Sequence, residues 1–211
     1  MIVFLDTSHK LNVAESEIGY PVEQLLTPLT RFNRQQPESP FAIDNGAFSK
    51  KGFQRDAFES LLKREFQSRD LCRFVTVPDV VGSARRTLEV FDFWFPRLAH
   101  WKLAYVCQDG QEDIPIPFEH IDALFIGGST KWKESPHAIA CIRAARAIGV
   151  WVHIGRINSP DRFEGFFQLG ADSCDGTGIA QYSKMREKVR DRNSEHRLFP
   201  TSAMVNVETA V

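Results

Sequence analysis

The stretch LAYVCQDG, from Leu103 to Gly110, contains the pattern that decides the fold. Its first five residues are apolar or aromatic on both alternating faces, and a polar segment that ends in glycine follows at once. The same change recurs in ALFIGGST, from Ala123 to Thr130, and in VWVHIGRIN, from Val150 to Asn158. Short continuous apolar runs are typical of strands buried on both faces, as in parallel sheets.

Similar runs occur along the rest of the chain. They predict seven strands, namely Ile2–Leu5, Phe41–Ile43, Phe74–Val77, Leu103–Cys107, Ala123–Ile126, Val150–Ile154 and Ala171–Cys174. Between them lie amphipathic segments that predict helices, at residues 20–32, 55–68, 83–98, 132–148 and 160–168. Gly149 fits a helix C-cap, and Ser159-Pro160 fits a helix start. This alternation predicts an α/β fold with a parallel sheet. We expect a (β/α) TIM-type barrel that is incomplete or irregular at its C-terminal end, with a doubly wound open sheet as the alternative.

Length and composition limit the class of protein. The 211 residues suffice for one domain, which we expect to span residues 1–211, and 43% hydrophobic with 25% charged residues is ordinary for a globular chain. No apolar run approaches the roughly 20 residues of a membrane-spanning helix. The first ten residues fit a strand better than a signal peptide, so we expect a cytoplasmic protein, in the host cytoplasm for a phage-encoded one. A formal net charge of −1 argues against a globally basic molecule and leaves a local basic groove open.

The cysteines and the C-terminal residues carry less information. Cys72, Cys107, Cys141 and Cys174 lie too far apart for a zinc motif or a disulfide framework, so we expect reduced core thiols, no metal and no cofactor. Residues 184–211 form a polar tail or helix. Its segment 184–197, which is rich in both signs of charge, fits a solvated helix or a phosphate-contacting element.

Active sites of parallel α/β folds lie just beyond the carboxyl ends of the strands. Asp44, Asp79 and Asp175 each follow a predicted strand. Paired carboxylates suit chemistry at a glycosidic carbon, where one attacks or stabilises the sugar and the other moves a proton. D-N-G and D-G pairs are also common in turns, so a turn role for Asp44, Asp109 and Asp175 stays open. Arg156 fits a phosphate contact or a salt bridge, and His153 fits a hydrogen-bonded core residue.

Five short segments follow one another at the predicted strand ends. They are IDNGAF (43–48), VPD (77–79), VCQDG (106–110), FIGGS (125–129) and GADSCD (170–175). In this order they resemble the tRNA-guanine transglycosylase superfamily, and within it most closely the small phage-type DNA 7-deazaguanine transglycosylases. They look like that family's D-S-G-G-F segment, its base-reading aspartate, and its V-Q-G-G, I-G-G and G-V-D-x-F-D segments. The similarity spans residues 41–178.

The resemblance implies a transferase, a pentosyltransferase that exchanges guanine in a polynucleotide for a 7-deazaguanine through a covalent aspartyl-glycosyl intermediate. It makes Asp175 the nucleophile and Asp44 the general acid/base. The predicted substrate-binding residues are Asp79, Gln108, Gly127, Gly128, Phe48 and Arg156.

Departures from the family refine the expected substrate. The chain has no C-x-C-x-x-C zinc insert, and Asn45 and Ala47 replace residues of the usual D-S-G-G-F. Without the parts that handle tRNA, the resemblance favours DNA as the polymer and free preQ0 as the incoming base. An accessory protein or a homodimer is a further expected partner, and a membrane is not.

Alternatives from other classes remain at this point. The same carboxylates suit an N-glycosidase that hydrolyses a nucleoside or polynucleotide. A transglycosylase that acts on tRNA would use the same base-exchange chemistry on another polymer. A non-catalytic binding module would have the same pocket without the reaction. A lysine-dependent lyase or aldolase is disfavoured because no predicted strand ends in lysine. Candidates for phosphate contacts are Arg85, Arg86, Lys131, Lys133, Arg156 and residues 184–197. Trp132, between two lysines, fits either base stacking or a packed rim position.

Overall fold

Eight parallel strands close into a barrel in sequence order. The computed structural model describes residues 1–6 and 11–198, with side chains as far as Asp191. The strands are β1 (Ile2–Leu5), β2 (Val22–Leu26), β3 (Phe41–Ile43), β4 (Cys72–Thr76), β5 (Leu103–Cys107), β6 (Ala123–Ile126), β7 (Trp151–Ile154) and β8 (Ser173–Asp175). The helices are α1 (Leu11–Ile18), α2 (Arg55–Glu65), α3 (Ala84–Trp94), α4 (Thr130–Lys133), α5 (Pro136–Ala147), α6 (Pro160–Gln168), α7 (Thr177–Gln181) and α8 (Ser183–Leu198). The predicted TIM-type barrel is therefore confirmed, but the expected incompleteness at its C-terminal end is wrong, because β8 pairs with β1 and closes the barrel.

The second strand corrects the sequence prediction. The segment 20–32 was predicted to be helical, but it contains β2, which pairs with β1 and β3 and is buried along its whole length. Glu23 and Gln24 gave the segment its amphipathic pattern, and both have partners in the fold. Arg73 binds Glu23 with a 2.8 Å contact, and the side-chain oxygen of Gln24 accepts a hydrogen bond from the Gln35 backbone. The eighth strand therefore lies near the N-terminus, and β8 closes the barrel directly against β1.

Serine caps set where several helices begin. Ser83, Ser129, Ser135 and Ser159 each accept a hydrogen bond from the backbone N–H three residues later. Proline follows the last two of these serines at the first helical position. Gly149 adopts φ +75° after α5, as the sequence predicted for a C-cap. The predicted charged tail begins as α8, and its residues 199–211 lie outside the described part of the chain.

Two apolar layers surround the strands. A small cluster fills the barrel interior, and a larger one joins the outer strand faces to the helices. The interior cluster comprises Phe4, Leu25, Ala42, Phe74, Ala104, Val106, Ala123 and Phe125. The four cysteines are free and buried. Among the described helices, none has both the length and the apolar composition needed to cross a bilayer.

Candidate active site

A cavity of about 350 Å³ opens at the carboxyl ends of the strands, within the usual size range of small-molecule sites. It brings together most of the residues predicted from sequence. Asp44, Asp79, Asp175, Gln108, Gly127, Phe48 and Arg156 line it. Gly128 lies directly behind this wall and contacts Gln108 and Arg156 through its backbone.

Asp175 is the last residue of β8 and is held at both carboxylate oxygens. Its Oδ1 accepts a 3.0 Å hydrogen bond from the Arg156 backbone N–H, and its Oδ2 lies 3.0 Å from Nε2 of His153. The side chain of His153 is fully buried below it. These contacts fix the orientation of a half-buried carboxylate that faces the cavity.

Asp44 directly follows β3 and has a different environment. One of its oxygens accepts a 2.6 Å hydrogen bond from the Gly46 backbone. Burial, followed by the nearby negative charges of Asp175, Asp79 and Asp6, raises the pKa of Asp44 to about 7 although the Gly46 N–H opposes the rise. Asp44 can therefore gain or lose a proton near neutral pH, as a general acid/base must.

A hydrogen-bond network joins four strand ends below the cavity. Asp79 accepts hydrogen bonds from Asn45 at 2.8 Å and from Gln108 at 2.6 Å. The Gln108 oxygen accepts the backbone N–H groups of Gly82 and Gly128, each at 3.0 Å. Burial raises the pKa of Asp79, while the hydrogen bonds from the Asn45 and Gln108 side chains act against the rise. Asn45 bridges the end of β3 to the Asp79 carboxylate.

This network leaves Gln108 with little free hydrogen-bonding capacity. Its oxygen already serves two backbone donors, so one N–H of the amide remains for a ligand. The sequence predicts that Gln108 contacts the substrate; the structure shows that its side chain holds the ends of β4, β5 and β6 together.

Close packing explains the glycine pair after β6. A Cβ atom at Gly127 would lie 2.7 Å from Val106 and 3.0 Å from the Gln108 amide. Gly128 has φ +67°, and a Cβ there would lie 2.8 Å from both Asp109 and Trp132. Asp109 in turn fixes this loop by accepting hydrogen bonds from the backbone and hydroxyl of Ser129. The backbone can therefore approach a ligand at this edge of the cavity.

Arg156 combines backbone strain with a cation over an aromatic ring. It has φ +60°, a conformation uncommon for residues other than glycine. Its guanidinium lies 3.8 Å from the centroid of Phe48 and donates to the Gly128 carbonyl. Phe48 itself is 60% exposed at the mouth of the cavity. The pair forms a flat, positively charged wall beside the carboxylates.

Polar residues that the sequence did not assign to the site include Asp6 and Thr76 in the cavity wall and His153 behind it. Asp6 follows β1 and lines the cavity, where Thr30 donates to it at 2.9 Å. The rule about strand ends could have identified Asp6. Thr76 ends β4 and lines the cavity, and its hydroxyl has no hydrogen-bond partner within the described part of the chain. Thr76 fell inside a predicted strand, and His153 was predicted to be a core residue, so neither gave a sequence signal.

Two candidates for nucleic-acid contact prove to be structural. Trp132 is buried and donates its indole N–H to Glu112 at 2.9 Å, so the packed interpretation of this residue is correct. Lys133 is also buried, and its ammonium group donates to the Gly155 carbonyl. Arg85, Arg86 and Lys131 remain exposed. Among the residues described, no three His, Cys, Asp or Glu side chains form a group that could hold a metal ion.

Comparison with protein-family models and with curated proteins gives no match. Solved structures with a similar backbone include one described as "Native KDPGal structure", with 11% identity over 93% of this chain and 96% of that chain, at a TM-score of 0.49. A second is phosphoribosyl anthranilate isomerase from Thermus thermophilus, with 13% identity over 92% of this chain and 98% of that chain, at a TM-score of 0.46. A third is a designed cube-shaped, porous protein cage, with 14% identity over 96% of this chain and 77% of that chain, at a TM-score of 0.44. These identities indicate no activity.

Proposed function

We propose that the chain is a base-exchange transglycosylase that replaces guanine in DNA with a 7-deazaguanine, preQ0 being the preferred base. The observation that carries the proposal is the pairing of two unlike carboxylates in one cavity. Asp44 has a pKa of about 7, whereas Asp175 accepts hydrogen bonds at both of its oxygens. Carboxylates held in different environments can take the separate roles of acid/base and nucleophile.

In the first half-reaction, Asp175 attacks the anomeric carbon of the flipped-out nucleotide. The bond between that carbon and N9 of guanine breaks, and protonated Asp44 supplies the proton that leaves with guanine. The product is a covalent glycosyl ester of Asp175, as in retaining glycoside chemistry. Extrusion of the nucleotide from the stack costs roughly a few kcal/mol, which binding in the cavity must offset.

The second half-reaction reverses these bonds with a new base. The incoming 7-deazaguanine gives its N9 proton to Asp44, and N9 attacks the anomeric carbon while the ester bond to Asp175 breaks. Both carboxylates then return to their starting states, so no net proton is consumed. A pKa near 7 suits a group that must donate a proton in one step and accept it in the next.

Recognition of the heterocycle falls to the polar groups below and beside the carboxylates. Asp79 offers acceptor positions for the donor edge of guanine beyond those used by Asn45 and Gln108. The free Gln108 N–H, the Thr76 hydroxyl and the backbone at Gly127 add further contacts. A site whose buried groups need these partners discriminates strongly against bases that lack them.

The polymer's phosphates would contact exposed cations such as Arg85, Arg86 and Lys131, which predicts strong salt dependence. An accessory protein or a second copy of the chain could supply further DNA contacts.

The test is release of labelled guanine from duplex DNA, single-stranded DNA and tRNA, each with and without preQ0. The proposal predicts release from DNA that requires preQ0 and is abolished by Asp175→Ala. Asp92→Asn, which alters an exposed carboxylate of α3, is the matched control and should react like the unchanged protein.

The other outcomes separate the alternatives. Release without preQ0 would make the protein a hydrolase, and release from tRNA alone would replace DNA as the substrate. Absence of release from all three polymers by folded protein would contradict base exchange by this chain.

A further inference from the structure

We propose that His153 is a positioning residue that holds the Asp175 carboxylate in one orientation, and that Ser173 and Trp151 fix the tautomer in which it does so. This inference deepens the proposed function and rests on it, because Asp175 is the proposed nucleophile.

His153 sits in an apolar cage. It is fully buried in β7, and the rings of Phe4, Phe74 and Phe125 lie 5.7, 5.2 and 4.5 Å from it, centroid to centroid. A buried polar ring in such surroundings must find its hydrogen bonds within the protein. Within the described residues its two nitrogens have one partner each. Nδ1 lies 2.9 Å from the Ser173 hydroxyl, and Nε2 lies 3.0 Å from Asp175.

The direction of this hydrogen-bond chain follows from its far end. The indole N–H of Trp151 can only donate, and it lies 2.8 Å from the Ser173 oxygen. Ser173 therefore accepts from Trp151, and its own hydrogen is free to point at Nδ1 of His153. Nδ1 then accepts, so the ring proton resides on Nε2 and is donated to Asp175. The opposite tautomer would set the Nε2 lone pair against a carboxylate oxygen and leave the Ser173 hydrogen without an acceptor among the described residues.

The consequence for Asp175 is geometric. One oxygen is held from below by His153, and the other is held by the backbone N–H of Arg156 beyond the end of the same strand. Two fixed donors define the plane of the carboxylate and direct its remaining lone pairs into the cavity. A nucleophile held in this way needs less reorganisation to reach the attacking geometry. His153 does not line the cavity, so it acts on the reaction through Asp175 and not on the substrate.

The activity test compares two substitutions at His153. His153→Gln keeps an N–H donor near the position of Nε2, whereas His153→Leu removes it. We expect the single-turnover rate of guanine release to fall on the order of 10- to 100-fold in His153→Leu, as for loss of a hydrogen bond to a charged group. KM should stay within about twofold, because His153 does not touch the substrate, and His153→Gln should recover most of the rate. Equal rates in folded His153→Leu and the unchanged protein would overturn the inference, as would equal losses in both variants.

A second measurement does not depend on activity. Nitrogen-15 NMR of the histidine ring reports which nitrogen carries the proton. We expect a protonated Nε2 whose proton resonance moves upfield in Asp175→Ala, and a mixed tautomer only when Ser173→Ala is combined with Asp175→Ala, since either partner alone favours the proton on Nε2. A proton on Nδ1, or an Nε2 signal indifferent to Asp175→Ala, would refute the inference even if base exchange is established. If the unchanged protein releases no guanine at all, base exchange fails, and the NMR result alone decides whether His153 holds Asp175.

Discussion

The proton affinity of Asp44 should be visible in the stability of the protein as well as in its activity. The perturbation is Asp44→Asn, which removes the ionisable group and preserves an oxygen that can accept the Gly46 N–H. In the unfolded chain Asp44 ionises near its ordinary pKa of 3.8, and in the folded chain its pKa is about 7. Between these values the folded state binds more protons than the unfolded state, so its stability falls as pH rises.

The size of the effect follows from the two pKa values. A rise from 3.8 to about 7 corresponds to about 4 kcal/mol at 1.36 kcal/mol per pH unit. Asparagine resembles the protonated acid, so Asp44→Asn should change stability little near pH 4. Its advantage over the unchanged protein should grow with pH and level off above pH 7, with about 4 kcal/mol as the upper limit. Because Asp175 supplies part of the rise, a background of Asp175→Asn should lower the plateau.

The assay is urea unfolding of both proteins at pH values from 4 to 8, with the difference in unfolding free energy plotted against pH. Titration of all other groups cancels to first order in this difference. Asp92→Asn should give a flat line, since that carboxylate is exposed on α3. A flat line for Asp44→Asn as well would refute the claim that Asp44 is protonated near neutrality, and with it the proposed acid/base role.

Three further outcomes follow from the site geometry. Single-turnover guanine release should fall about tenfold per pH unit above pH 7, because Asp44 must carry a proton in the first half-reaction; a rate independent of pH between 7 and 9 would argue against that step. Gln108→Leu should destabilise the fold by about 2–4 kcal/mol in urea unfolding, since two backbone N–H groups and an Asp79 oxygen lose their partner, and a loss below 1 kcal/mol would show that the network is not rigid. Gly128→Ala should cost about 1–3 kcal/mol more than Gly149→Ala, because both have positive φ but only the first meets close neighbours; equal losses would mean that the loop yields.

Much of the barrel follows from the sequence because its strands are continuous apolar runs with abrupt polar ends. The strand β1 and all six strands after β2 were predicted to within two residues at either end, and α6 was predicted at Pro160–Gln168. The strand β2 was wrongly predicted as part of a helix because its sequence, Val-Glu-Gln-Leu-Leu, resembles the pattern of an amphipathic helix. Its polar side chains find partners in Arg73 and Gln35, which are distant in sequence and become neighbours only in the barrel.

In the site too, the residues at strand ends were predictable from sequence, whereas their contacts with distant residues were not. Position at a strand end identified Asp44, Asp79 and Asp175, because topology alone brings such residues to one rim. Hydrogen-bond partners did not follow from sequence. The contact between His153 and Asp175 joins two strands 22 residues apart, and its formation depends on the register of β7 against β8.

The network that joins Asn45, Asp79, Gln108 and Gly128 also bears on how the proposed base specificity could evolve. Changing Gln108 to suit another base would simultaneously disconnect the ends of β4, β5 and β6, so selection for a new substrate would meet a fold defect at the same position. A change at Thr76 would break no side-chain hydrogen bond, since its hydroxyl has no partner within the described residues. Divergence in base preference should therefore accumulate at residues like Thr76, and libraries that vary the floor of the cavity should begin there.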